Sequence, residues 1–246
     1  MEIIAEYILS ALVVLLALTI HEFSHGYAAY KLGDPTAKSF GRLTLNPIKH
    51  LDPIGAVCML LFRVGWAKPV PINPGYFKKP KRDFAITALA GPVSNLILSF
   101  FSAFLYLFAY ALLKDLEFSS EFTLSLAQNA LLFIWLLHII NLSLAIFNML
   151  PIPPFDGSRI LYAILPHRIY FKVMKNERRI YYAVLLWLFG GEILAKGLLS
   201  LPFAVGNPIF EFLAKILSLS GLLGSAASFI SDLMMKFWQL IPFLKF

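Results

Sequence analysis

His21, Glu22 and His25 form an H-E-x-x-H run near the start of a 246-residue chain. Residues four apart lie on one helix face, one turn from each other. Two imidazoles at this spacing can reach a single Zn2+ at about 2.0–2.1 Å each. Glu22 follows the first histidine by one position and so stands to the side of the pair, where a carboxylate can take a proton from water as general base. The surrounding residues are apolar, and ionisable groups in such a segment cost at least a few kcal/mol, so packing alone is a weak account of them.

A catalytic zinc site usually has a third protein ligand. Asp156 sits in Asn148-Met-Leu-Pro151-Ile-Pro153-Pro154-Phe-Asp156-Gly157. Three prolines in four residues break or unwind a helix and free its carbonyls, and Gly157 lets another backbone approach. A competing reading has Asp156 capping a short helix over residues 157–165. His138, inside an apolar run, is the rival ligand, although a lone histidine there is more often hydrogen-bonded to a neighbour. Cys58 reads as a small packed hydrophobe rather than a ligand.

The elements that must position these groups follow from composition. Hydrophobic residues make up 59% of the chain and charged residues 14%, with a mean hydropathy of +0.75. Soluble domains run nearer half apolar and a quarter charged. Disorder is excluded by the same figures, and a disulfide scaffold by the single cysteine. A membrane protein remains. Residues 84–113 and 122–155 contain no Asp, Glu, Lys or Arg, and each exceeds the roughly 20 residues of helix that cross a bilayer. Residues 3–30 are as apolar but carry the H-E-x-x-H run. Residues 180–205, interrupted by Glu192 and Lys196, and a looser stretch over 208–240 complete the set; the last is either a span or partly an interfacial amphipathic helix.

The expected fold is an all-α polytopic membrane protein with about five spans, four to six being compatible. Between the first two, residues 38–82 hold turn signals around short β-friendly runs such as Arg42-Leu-Thr-Leu45 and Lys68-Pro-Val-Pro-Ile72. This region reads as a small β-hairpin or re-entrant element on or in the cytoplasmic leaflet, facing protein or a wet cavity. The chain divides into a catalytic membrane core (1–165), a basic loop (166–179) and C-terminal transmembrane or interfacial helices (180–246).

Of the 21 Lys and Arg, ten fall between Lys31 and Arg82 and six between Arg159 and Arg179. Cytoplasmic loops collect basic residues, which places both loops inside and the N-terminus and the acidic 114–121 loop outside, in a multi-pass protein of the cell membrane. No basic-aromatic module accompanies the charges, so a nucleic-acid partner is not expected. The start, Met-Glu-Ile-Ile-Ala-Glu, lacks the positive charge of a signal peptide, so the first helix is expected to be retained. His25 is six residues before Lys31, which puts the histidine pair roughly 9 Å inside the boundary; hydrolysis there requires access for water from the cytoplasm.

His21-Glu22-x-x-His25 on one helix, with Asn148-x-x-Pro151 and Asp156-Gly157 on another, resembles the site-2 protease family of intramembrane zinc metalloproteases. Gly91-Pro92-Val-Ser-Asn95 is similar to that family's Gly-Pro-x-x-Asn element, and Gly41-Arg-Leu-Thr-Leu-Asn-Pro47 with Gly65-Trp-Ala-Lys-Pro-Val70 to its compact prokaryotic members, which lack an inserted peptide-binding or nucleotide-sensing domain. The resemblance covers roughly residues 15–165. It implies one Zn2+ per chain held by His21, His25 and Asp156, with Glu22 as catalytic base and Asn148 and Asn95 as substrate-binding candidates. It also implies an edge strand, from the 38–82 region, for a substrate segment that must unwind before cleavage. The implied partner is a membrane-anchored protein, cut in regulated intramembrane proteolysis, with the lipid bilayer around both. Two other readings compete. A metal transporter or sensor would use the same histidine pair and leave Glu22 idle, and transporters tend to show internal repeats, which this chain lacks. A non-catalytic descendant should have lost a motif residue, and all four are present.

Overall fold

The computed structural model describes residues 2–62, 66–200 and 207–244. The apolar N-terminal run is one helix, α1 (Glu2–Lys31). Two of its polar side chains are satisfied locally: the Thr19 and Ser24 hydroxyls donate to the carbonyls of Leu15 and Ile20, four residues back. After α1 come three short helices, α2 (Thr36–Ser39), α3 (Pro47–His50) and α4 (Pro53–Phe62), then a 3-10 turn over Pro74–Tyr76. The next long helix, α5 (Pro80–Leu113), is joined by a short loop to α6 (Glu121–Asn148). Ser120 caps α6: its hydroxyl accepts from the Thr123 amide, and Thr123 reaches back to the Ser120 amide.

Among the described residues α1, α5 and α6 are the three helices long and apolar enough to cross a membrane. α5 packs against both of the others. The short α5–α6 loop makes those two antiparallel, so the C-terminal end of α1, the first turns of α5 and the exit of α6 come to one end of the bundle. At that exit Met149 ends the helix, the proline-rich turn follows, and α7 (Asp156–Ile164) folds back against α5. The Arg159 guanidinium pairs with Glu177 at 2.9 Å and lies over the Phe84 ring of α5, which fixes α7 in place.

The remaining chain forms α8 (His167–Lys175), α9 (Glu177–Leu199), α10 (Pro208–Leu217) and α11 (Leu219–Trp238). The stretch read as one segment over 208–240 is two helices, because Ser218 is extended and caps α11 through the Gly221 amide. α11 packs on α5 and α6. Its Trp238 indole donates to the Phe100 carbonyl at 2.9 Å and stacks among Phe100 and Phe104.

The β-hairpin expected within 38–82 is not formed among the described residues. What remains of it is one antiparallel bridge between Leu51 and Ala67. The physical reason is in the sequence: Pro69 and Pro71 carry no N–H, so the second run lacks the donors that a paired strand needs. Residues 54–62, apolar and too short to span, belong to α4. The Cys58 side chain lies outside the described residues.

Candidate active site

His21 and His25 lie side by side on α1, 4% and 6% exposed, with their rings edge to face. The His25 Nε2 is 3.0 Å from the His21 Nε2, and Asp156 Oδ2 lies 3.1 Å from the first histidine and 3.3 Å from the second. The α6–α7 turn delivers this carboxylate. Asp156 is the first residue of α7, while Phe155 occupies the cap position, so the aspartate is not spent on capping. A Cβ at Gly157 would come within 2.2 Å of the Met149 carbonyl oxygen, so the tight turn requires glycine there.

The other ring nitrogens fix the tautomers. His25 Nδ1 faces the Thr87 carbonyl at 2.8 Å. A carbonyl only accepts, so Nδ1 carries the proton and Nε2 presents its lone pair. For His21 two buried amides set the tautomer. The Asn141 Nδ2 donates to the Leu137 carbonyl at 2.7 Å, which turns its oxygen towards Asn95. Asn95 Nδ2 donates to that oxygen at 2.7 Å and to the Ala17 carbonyl at 3.2 Å. The Asn95 oxygen therefore faces His21, whose Nδ1–H donates to it at 2.5 Å. Both imidazoles thus aim an Nε2 lone pair at the Asp156 carboxylate.

Three acceptor atoms this close repel one another unless a cation or added protons lie between them. Tetrahedral zinc with ligands at 2.0–2.1 Å separates its ligand atoms by about 3.3 Å, which matches the spacing found. The residues fit the ion, and among the described residues they are the one group of its kind. Close packing completes the site. A Cβ on Gly91 of α5 would lie 2.5 Å from His25 Nε2 and 2.7 Å from His21 Cε1, so only glycine lets α5 approach the pair.

His138 is not in this group. It is fully buried, its Nδ1 faces the Ser99 carbonyl at 3.0 Å and hydroxyl at 2.8 Å, and its Nε2 accepts from the Ser231 hydroxyl at 2.8 Å. It ties α11 to α5 and α6. Asn95, expected beside substrate, is fully buried behind His21 with both ends of its amide engaged. Asn148 is half-buried at the end of α6 and donates to the Leu144 carbonyl at 3.0 Å. Glu22 is half-buried on α1, and its Oε2 accepts from the Val70 amide at 2.7 Å. Asn141 escaped the sequence reading; the available signal was a costly amide in an uncharged spanning run.

The sequence model of peptidase family M50 matches residues 9–189. The chain belongs to this family. It is 44% identical over 171 residues to the "Putative zinc metalloprotease YwhC" of Bacillus subtilis, covering 70% of this chain and 74% of that protein. It is also 30% identical over 159 residues to the "Putative zinc metalloprotease Rip2" of Mycolicibacterium smegmatis, and 31% identical over 161 residues to the protein of that name in Mycobacterium tuberculosis. These two alignments cover 62% of this chain and 54% of each relative, so they span about half the relatives' length. No solved structure gives a significant match. The M50 protein described here is a zinc-dependent peptidase, which displaces the reading as a transporter or sensor.

Proposed function

We propose that this M50 peptidase hydrolyses peptide bonds of membrane-anchored protein segments near the cytoplasmic leaflet, in regulated intramembrane proteolysis. The observation that carries the proposal is the convergence of two imidazole lone pairs, from the long apolar helix that also bears Glu22, with the Asp156 carboxylate. His21, His25 and Asp156 would hold one zinc ion, which when bound acts as a Lewis acid on water or a carbonyl. The surrounding residues do the rest. Asn95 and the Thr87 carbonyl keep both imidazoles in the ligating tautomer. Glu22 takes the proton from the attacking water and returns it to the leaving amine. Asn148 retains an amide hydrogen and its carbonyl oxygen for the main chain of an unwound substrate.

Membrane placement belongs to the same proposal. The basic loops 31–82 and 159–179 lie in the cytoplasm and the N-terminus outside, with α9 and the α10–α11 region as the fourth and fifth spans. Cysteine accessibility that found residues 78–82 outside the cell would overturn this orientation. For the reaction, the test is Glu22→Gln in reconstituted protein: cleavage of single-span substrates is lost while zinc content stays at one per chain. Equal cleavage by wild type and variant would remove the proposal.

A further inference from the structure

The stretch from Trp66 to Asn73 has no regular structure apart from its one bridge, yet it is pinned along its length. Ala67 bridges to Leu51, and the Lys68 amide donates to the His50 carbonyl at 2.8 Å. The Lys68 carbonyl accepts from the Arg42 guanidinium at 2.5 Å. At the far end the Asn73 amide donates at 2.7 Å to Asp34, a fully buried carboxylate just past α1. Between these anchors the Val70 side chain, 6% exposed, packs on α1 at Gly26, where a Cβ would come 3.2 Å from Val70 Cγ1.

Pro69 and Pro71 flank Val70, so its N–H is the one main-chain donor across residues 69–71. The residue before a proline is also held extended, which stiffens the strap at Lys68 and Val70. That single donor meets Glu22 Oε2 at 2.7 Å. The contact bridges 48 positions of sequence and joins the irregular loop to the residue read as the base.

We propose that the Val70 main-chain N–H is a positioning group for Glu22. The inference rests on the reading of Glu22 as general base. A glutamate has three side-chain torsions, and holding Oε2 from the strap selects the rotamer in which Oε1 is presented to water. Because misplacement of a reacting group by about 1 Å can cost 10²-fold, losing this contact should show in kcat rather than in zinc or substrate binding.

The experiment compares Val70→Pro, which deletes the N–H in an already proline-flanked stretch, with Val70→Ala, which keeps it. Both are made in the full chain, reconstituted with a single-span substrate, and zinc is measured in each. Val70→Pro should lower kcat roughly 10- to 100-fold with KM and zinc content unchanged, and Val70→Ala should recover most of that loss. Arg42→Met loosens the strap without touching Val70 and should lower kcat less, with Arg42→Lys restoring it; this pair decides the matter if Val70→Pro fails to fold. In a Glu22→Asp background, whose shorter carboxylate is out of reach, Val70→Pro should add little further loss. Wild-type or higher kcat in Val70→Pro, or full additivity with Glu22→Asp, overturns the inference. Activity surviving in Glu22→Gln would instead remove the base assignment, so the two failures are distinguishable.

Discussion

His21 and His25 look from α1 into helices, whereas Glu22, on the same turn, looks into a loop. On the histidine side each Nδ1 meets an acceptor on α5, and the Asn95 amide is itself held by α1 and α6. On the glutamate side the partner among the described residues is the amide of Val70, in a strap held at Ala67, Lys68 and Asn73. The first environment is set by helix packing, and no residue can shift without leaving a buried amide unpaired, which costs about 1–3 kcal/mol. The second depends on an irregular segment that lies across the helix end. The contrast teaches that the ion's ligands and the base have separate supports, so substitutions should separate metal binding from turnover.

The strongest test of that separation is Asp156→Ala. It removes the carboxylate facing both imidazoles, and elemental analysis should find the zinc lost and cleavage abolished. Retained zinc would mean that a different third ligand operates. Gly91→Ala should come next. A methyl at 2.5 Å from His25 Nε2 must push α5 or the ring aside, lowering zinc affinity by at least 10-fold in a chelator competition.

A smaller effect is expected from Asn141→Leu, which touches no ligand. It takes away the acceptor that orients Asn95, and through it the His21 tautomer. Zinc affinity should fall about 10-fold, at the lower end of the range for outer-shell partners, while kcat at saturating zinc stays within a few-fold of wild type. A loss confined to kcat would break the comparison. The least functional effect belongs to His138→Leu, which leaves the Ser231 hydroxyl without its acceptor. It should lower stability by about 1–3 kcal/mol in thermal unfolding and leave zinc content unchanged.

The histidine pair was legible because its spacing is the helical repeat itself, and Asp156 because three prolines and a glycine announce a broken helix in an otherwise uncharged run. Asn95 was visible as a residue but not in its role. Which way an amide faces depends on the register of α5 against α1, and nothing in a single chain's spacing sets that. Asn141 was missed for the same reason, since its meaning appears only once α6 stands behind α5. The loop over 38–82 misled in the opposite direction. Its β-friendly runs suggested a hairpin or a re-entrant element; the prolines that break up the second run leave Val70 as its central donor, and that donor turns to Glu22 rather than to a strand. In the C-terminal region, composition suggested one long segment where Ser218 divides two helices.

Exposure across the ligand group is uneven: the Asp156 side chain is 20% accessible, against 5% and 8% for the two histidines. Gly91 brings α5 flush against the imidazoles, so that wall is shut. Of the three ligands the carboxylate is the most open to solvent, on the side of the proline turn. Bulky chelators should accordingly strip the protein far more slowly than small ones of equal affinity.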